Sequence, residues 1–249
     1  MKSPQGDAPL LFPRVPWRGG QVTIGIVLVL VALLPVSAVA LGLGTLAGGH
    51  KLAVAVLVSS QLLGLVILAV VWRLGLVRYR APLSALGLTP PDLPWVQTAV
   101  LTLGALLASL GFNILYAMLV APLDSDLLSP PDIPRAIAFP GPAVVFTFQA
   151  LALWTPLAEE VFFRGFVFAG LIPRLGVPRA LAASALVFSI FHLSQGSPGV
   201  LVPIFITGLL LAWLYYRTGS LWASIVAHGS QNAVALAGTL YQVWTTGQT

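Results

Sequence analysis

Residues 153–170 read LWTPLAEEVFFRGFVFAG. The stretch has the length and composition of an apolar helix, and its ionisable residues are Glu159, Glu160 and Arg164. The two glutamates are the only ones in the chain. A charge near the centre of a bilayer costs about 2.5–3.5 kcal/mol on insertion scales, so charged residues within apolar helices are candidates for function. The stretch therefore predicts a membrane helix that carries a functional site.

The composition of the whole chain agrees with a membrane location. Of its 249 residues, 58% are hydrophobic and 8% are charged, and the mean hydropathy is +0.96. Soluble domains carry about 25% charged residues, so a soluble globular protein is excluded. The absence of cysteine excludes disulfides, thiolate zinc sites and a cysteine nucleophile. The net charge of +5 comes from scattered basic residues, which is not the pattern of a nucleic-acid-binding surface.

Seven apolar runs are long enough to enter or span the membrane, for which about 20 residues are needed. They cover residues 22–47, 52–72, 95–121, 143–171, 180–193, 200–216 and 221–244. The predicted fold is all-α, a polytopic transmembrane bundle of about seven helices. The fourth run is overlong and contains Pro156, so a kink or an eighth helix is expected there.

The predicted organisation is a cytoplasmic tail at residues 1–20, N-terminal transmembrane helices at 21–135 and a transmembrane core at 136–249 that contains both glutamates. Basic residues gather in alternate loops, on the side of the N-terminus, which places that terminus in the cytoplasm and the C-terminus outside. The expected location is a prokaryotic plasma membrane. The basic residues on the cytoplasmic side are Lys2, Arg14, Arg18, Arg73, Arg78, Arg80, Arg174, Arg179 and Arg217. The opposite loops hold Lys51, Arg135, Asp124, Asp126 and Asp132.

Helical spacing indicates which of the charged residues can meet. Glu160 and Arg164 are four residues apart, so they share a helix face and can pair. Glu159 points about 100° away from Glu160, which leaves it free for another partner. The pair is equally well explained as a structural contact or as a substrate-binding group.

Polar residues recur in two later apolar runs. His192 ends the fifth run, and His228 and Asn232 lie one turn apart within the seventh. A carboxylate such as Glu159 can activate water as a general base with a histidine beside it. A histidine and an asparagine on one helix face can donate hydrogen bonds to a developing oxyanion. Together these residues predict a pocket for amide hydrolysis.

Three motifs resemble those of the CAAX prenyl protease type II family, also called the CPBP or Abi family of intramembrane glutamate proteases. Residues 159–165, EEVFFRG, fit EExxxR; Phe188 to His192 fits FxxxH; His228 to Asn232 fits HxxxN. Their order on three successive membrane helices is similar to that of the family. The resemblance covers about residues 140–240, and the Leu-Gly-Leu at 86–88 is similar to a loop segment common in the family.

The resemblance implies a metal-independent endopeptidase without cofactor, acting on peptides or proteins at the lipid bilayer and not on nucleic acid. The implied catalytic residues are Glu159, His192, His228 and Asn232. The implied supporting or substrate-binding residues are Glu160, Arg164 and Phe188. By resemblance, the first glutamate and the FxxxH histidine activate water, and the HxxxN residues form an oxyanion hole.

Two other functions stay open at the level of sequence. Histidines and glutamates can bind zinc, although the sequence lacks the HExxH arrangement of many zinc peptidases. A transporter or a non-catalytic membrane scaffold would use Glu159 and His192 as a proton relay or as contacts between helices.

Overall fold

The computed structural model describes residues 15–129, 134–193 and 197–246. Within these ranges the chain forms helices and loops and has no strand. The α-helices are α1 (Gly19–Thr45), α2 (Lys51–Val71), α3 (Trp95–Val120), α4 (Val144–Phe148), α5 (Thr155–Glu160), α6 (Ala169–Ile190), α7 (Leu201–Thr218) and α8 (Leu221–Thr246). The all-α bundle predicted from the sequence is confirmed. Lys2, Arg14 and Asp132, which entered the orientation count, lie outside the described residues.

Five helical stretches are long and apolar enough to cross a membrane: Gly19–Thr45, Gly48–Val77, Trp95–Leu123, Gly141–Ile190 and Pro198–Thr218. The fourth has 50 residues, which at 1.5 Å per residue would extend to about 75 Å, more than twice the thickness of a bilayer core. Gly176 divides it, with φ of 70° and ψ of 165°. Helix α8 matches the seventh predicted run but is not among the five. The number of crossings, about seven, stays a prediction.

The long helix continues through Pro156, where the sequence predicted a kink or an additional helix. Two π-helical segments, Gln149–Trp154 and Val161–Phe168, lie on either side of α5. A π-helical turn inserts one extra residue per turn and is frequent at functional sites. The glutamates of α5 are thus held between two widened turns of an otherwise unbroken helix.

Helices α1 and α2 pack antiparallel, and the segment before α1 reaches the core. Trp17, within the predicted tail, is completely buried. Its Nε1 donates to the carbonyl oxygen of Phe166 at 2.9 Å, and the two rings stack with centroids 5.7 Å apart. Gly170 makes room, since a Cβ there would lie 2.8 Å from the Trp17 ring. The N-terminal segment is thereby attached to the π segment that follows the glutamates.

The Leu-Gly-Leu loop at 86–88 joins the N-terminal helices to the turn between α7 and α8. Gly87 adopts a φ of 78°, and a Cβ there would overlap the ring of Tyr215. The Tyr215 hydroxyl donates to the carbonyl of Leu86 at 3.1 Å, and the Leu221 N–H donates to the carbonyl of Gly87 at 2.7 Å. These contacts fix the beginning of α8.

Hydroxyl and amide side chains connect α3, α7 and α8. Ser109 and Thr207 share a hydrogen bond of 2.6 Å, and Gln231 Nε2 donates to Thr207 Oγ1 at 3.4 Å. Ser224 donates to the carbonyl of Leu211 at 3.0 Å. Such bonds hold helices together in a bilayer, where apolar surfaces alone give little preference for helix over lipid. They set the position of α8 against α7.

Candidate active site

The most deeply buried part of the site is an ion pair on one face of the long helix. The side chains of Glu160 and Arg164 are fully buried, and Arg164 Nη1 donates to Glu160 Oε1 at 2.8 Å. Arg164 Nη2 also donates to the carbonyl of Gly208 in α7 at 3.3 Å. The pairing predicted from the four-residue spacing is confirmed. Because neither side chain is exposed, the geometry favours a structural contact over a substrate-binding one. We call these two residues the buried pair.

Phe188 of α6 lies at the centre of the site. The guanidinium carbon of Arg164 is 4.3 Å from the centroid of its ring. The same ring lies 4.6 Å from the His192 ring and 5.7 Å from the His228 ring. A cation over an aromatic face is worth about 2 kcal/mol or more when desolvated. Phe188 therefore links the buried pair to both histidines.

Gly208 allows α6 and α7 to approach each other behind this ring. A Cβ at Gly208 would lie 3.1 Å from the Phe188 ring and 3.1 Å from Ala185. The close approach also brings the Gly208 carbonyl to Arg164. A glycine in α7 thus completes the hydrogen bonding of a charge on the long helix.

Glu159 lies with His192 and His228, and we call these three residues the Glu159 triad. Its Oε2 is 3.9 Å from His192 Nε2 and 3.8 Å from His228 Nε2. The side chains are 15%, 12% and 5% exposed, respectively. Both separations are too long for direct hydrogen bonds. Within the described part of the chain, Glu159 Oε2 is buried and has no hydrogen-bond partner.

The partners of the second ring nitrogens assign the tautomers of the two histidines. His192 Nδ1 lies 2.8 Å from the carbonyl of Phe188, which can only accept, so Nδ1 donates. His228 Nδ1 lies 2.8 Å from Glu160 Oε1, which already accepts from Arg164, so this nitrogen also donates. In each neutral ring, Nε2 therefore carries a lone pair directed towards the Glu159 triad.

Asn232 follows His228 by one turn of α8 and contacts the first π segment. Its Nδ2 donates to the carbonyl of Leu151 at 2.8 Å. Gly229 permits this approach, because a Cβ there would lie 2.5 Å from the carbonyl oxygen of Ala152. A carboxamide has two N–H donors, so this bond orients Asn232 and leaves its second N–H for another acceptor.

The C-terminal part of the chain has a counterpart among known families. Residues 141–234 match the family model described as type II CAAX prenyl endopeptidase Rce1-like. This segment is similar to the CAAX protease family. No curated protein and no solved structure matches the chain. The family match supports a CAAX-type intramembrane protease as the general class of activity, with membrane-associated proteins or peptides as the class of substrate.

Every residue that the three motifs singled out lies within the matched segment, residues 141–234. The structure brings together Glu159, Glu160, Arg164, Phe188, His192 and His228. Asn232 lies one turn away and is held by a backbone carbonyl. The predicted neighbourhood of the three helices is therefore observed, whereas the chemical role of each residue remains a prediction.

Several residues that position the candidate site were not found from the sequence. Gly208 and Gly229 allow close helix packing because they lack a side chain, and Leu151 contributes its backbone carbonyl. None of the three interrupts the apolar pattern of its helix in the sequence. Trp17 lies far from the motifs in sequence and was assigned to a tail. The proline within the fourth run was the one available signal for an irregular helix near Leu151.

The alternative of a zinc site can be compared with the donor geometry. Two imidazole Nε2 atoms and a carboxylate oxygen are chemically suitable ligands. Ligands of a tetrahedral zinc at about 2.05 Å would lie roughly 3.3 Å apart, whereas the pairs here are separated by 3.8 and 3.9 Å. Among the residues that the structure describes, no group of three His, Asp or Glu is arranged to hold a metal.

Proposed function

We propose that the chain is an intramembrane endopeptidase in which Glu159 activates a water molecule. The observation that carries the proposal is the convergence of Glu159 Oε2 with the Nε2 atoms of His192 and His228. Glu159 Oε2 lies at nearly equal distances from the two Nε2 atoms, each of which a single water could bridge to it. Such a group suits a water molecule whose hydrogens point to the acceptors.

The separations support a bridging water. A water placed about 2.8 Å from both Glu159 Oε2 and one Nε2 atom would see them at an angle of roughly 90°. A hydrogen-bonded water requires at least two polar partners in a roomy polar site. Glu159 and one histidine of the triad supply these two partners, and Phe188 packs against both histidine rings. Water held there would have its lone pairs free to attack a carbonyl carbon.

The proposed reaction is amide hydrolysis by general base catalysis. Glu159 removes a proton from the water as its oxygen forms a bond to the substrate carbonyl carbon. The lone pair of His192 Nε2 accepts the second hydrogen of the water and orients it. When the tetrahedral intermediate collapses, the carbon–nitrogen bond breaks and Glu159 returns its proton to the leaving nitrogen. Water is thereby divided between a carboxyl product and an amine product.

Asn232 is the proposed donor to the oxyanion, through the carboxamide N–H that Leu151 leaves unused. His228 is held beside Glu159 by the bond from its Nδ1 to Glu160, and we propose that it lines the oxyanion site.

The experiment that tests the proposal is hydrolysis of a quenched peptide library by the purified full chain in detergent. Glu159→Gln removes the base with little change of volume, and we expect kcat to fall by about 10³-fold or more, within the range for loss of an essential acid–base group. His192→Ala should lower kcat by about 10²-fold. His50→Ala is the matched control, because His50 precedes α2 and contacts Phe139 outside the site. It should leave kcat unchanged.

Cleavage that persists in Glu159→Gln would contradict the assignment of the base. Absence of cleavage by the wild-type protein across a library that includes prenylated and unmodified peptides would favour the scaffold alternative. A comparison of membrane peptidomes from cells with wild-type protein and with Glu159→Ala would identify the natural substrate. A peptide present only with the wild-type protein is the expected result.

A further inference from the structure

The backbone carbonyl of Leu151, beside the site, lacks a backbone N–H donor because of the hydrogen-bond register of the helix. The N–H of Thr155 donates to the carbonyl of Ala150, five residues earlier. In an α-helical register the same N–H would pair with Leu151. In the π-helical register the donor to Leu151 would be the N–H of residue 156. Residue 156 is proline, which has no N–H, so neither register supplies a donor.

The group that occupies this carbonyl is the side chain of Asn232. Its Nδ2 lies 2.8 Å from the oxygen of Leu151. The Thr155 hydroxyl is the usual local competitor, because threonine side chains in helices often bond the carbonyl four residues earlier. Here Thr155 Oγ1 is buried and has no partner among the described residues. The Leu151 carbonyl therefore accepts its hydrogen bond from Asn232 of α8.

The packing of α8 agrees with this arrangement. Gly229 brings the backbone of α8 against Ala152, the residue after Leu151. Asn232, about one turn further along α8, places its carboxamide against the Leu151 carbonyl. A carbonyl without an axial N–H can tilt away from its helix axis towards such a donor.

We propose that Pro156 is a positioning residue of the site. Because Pro156 has no N–H to donate to the Leu151 carbonyl, that carbonyl stays available to Asn232. The bond between them sets the direction of the Asn232 carboxamide. The orientation of Asn232 is independent of the reaction, whereas the effect on rate rests on the proposed peptidase function. The two parts are therefore tested separately.

The orientation is measured by NMR, which is favoured because the chain has two asparagines, Asn113 and Asn232. Selective ¹⁵N labelling of asparagine in the full chain in micelles gives two side-chain amide pairs, assigned with Asn113→Ala. In Pro156→Ala we expect the Asn232 pair to move towards the shift and the solvent exchange rate of a free carboxamide. The Asn113 pair should stay unchanged. Pro156→Ser, which also carries an N–H, replaces this variant if it does not fold.

The matched control is Pro203→Ala. Pro203 is also buried, but it lies in the first turn of α7, where a missing N–H is tolerated. This variant should move neither amide pair. An Asn232 pair that stays in place in Pro156→Ala, or that moves equally in Pro203→Ala, would overturn the inference.

The effect on rate is measured with the cleaved peptide from the library. Pro156→Ala should lower kcat by about 10- to 100-fold with KM within about twofold, because an oxyanion donor is misdirected. In an Asn232→Ala background the same substitution should cause no further loss. Additive losses would show that Pro156 does not act through Asn232. If the wild-type protein cleaves no peptide, the proposed function fails, and the NMR comparison still decides the role of Pro156.

Discussion

Glu159 and Glu160 are adjacent and chemically identical, yet the buried pair and the Glu159 triad are opposite kinds of environment. Glu160 is fully buried and is bound by Arg164 and by His228 Nδ1, each at 2.8 Å. Glu159 is partly exposed, and its nearest polar partners in the triad are at 3.8 and 3.9 Å. His228 contacts both glutamates, one with each ring nitrogen. The difference shows that two adjacent carboxylates on one helix can have separate roles, one structural and one available for chemistry.

The largest effect expected from this comparison is on stability. Glu160→Gln leaves the charge of Arg164 buried without its counterion, and we expect the free energy of unfolding to fall by about 3–5 kcal/mol. Glu159→Gln should leave it unchanged or raise it by about 1 kcal/mol, since functional sites are seldom optimal for stability and a like charge beside Glu160 is removed. Denaturation of both variants in the same detergent measures the difference. Equal losses would show that the two glutamates are not divided in this way.

A double substitution separates the two roles of the buried pair. Glu160→Met with Arg164→Leu removes both charges, and a buried ion pair replaced by apolar residues often costs little stability. We therefore expect it to recover most of the stability lost in Glu160→Gln. The kcat for peptide cleavage should nevertheless stay about 10²-fold below wild type, because His228 Nδ1 loses the carboxylate that orients it. Recovery of both quantities would mean that Glu160 does not position His228.

A smaller effect is expected at Phe188, the ring between the two environments. Phe188→Leu should lower the free energy of unfolding by about 1–3 kcal/mol and kcat by about 10-fold, because both histidines lose their support. Phe168→Leu is the matched control, since Phe168 is equally buried and its ring contacts Tyr215 instead. It should lose similar stability and keep its kcat. A fall of kcat in both variants would assign the effect to general loosening.

The smallest expected effect is that of a strong chelator. If water is activated by Glu159 without a metal, incubation of the purified protein with chelator should leave kcat within about twofold, because no ligand of the reaction is removed. Activity that disappears and returns with added zinc would instead make the Glu159 triad a metal site. The measurement uses the same peptide assay as the other variants.

The sequence predicted the helices closely and the irregularities poorly. The apolar runs 95–121 and 200–216 correspond to α3 and α7 within two residues, because a bilayer demands long uninterrupted apolar helices. The divide between the fourth and fifth runs is also observed, at Gly176. The kink or additional helix expected at Pro156 stays a prediction, and what the structure shows there is a π-helical segment on either side of α5. Such a segment depends on side chains from other helices, which a local pattern does not contain.

The sequence by itself determined that the chain is a membrane helical bundle and which polar residues it holds. It also paired Glu160 with Arg164, because four residues bring two side chains to one face of a helix. Only the tertiary structure decided the rest of the site: the contact of Glu160 with His228, the place of Phe188 between Arg164 and both histidines, and the bond from Asn232 to Leu151. Apart from the Phe188–His192 contact, which lies within one turn of α6, these contacts join residues 24 to 81 positions apart. They depend on how closely the packed helices approach one another and on which backbone carbonyls lack an N–H donor. Neither feature produces a periodic pattern in the sequence.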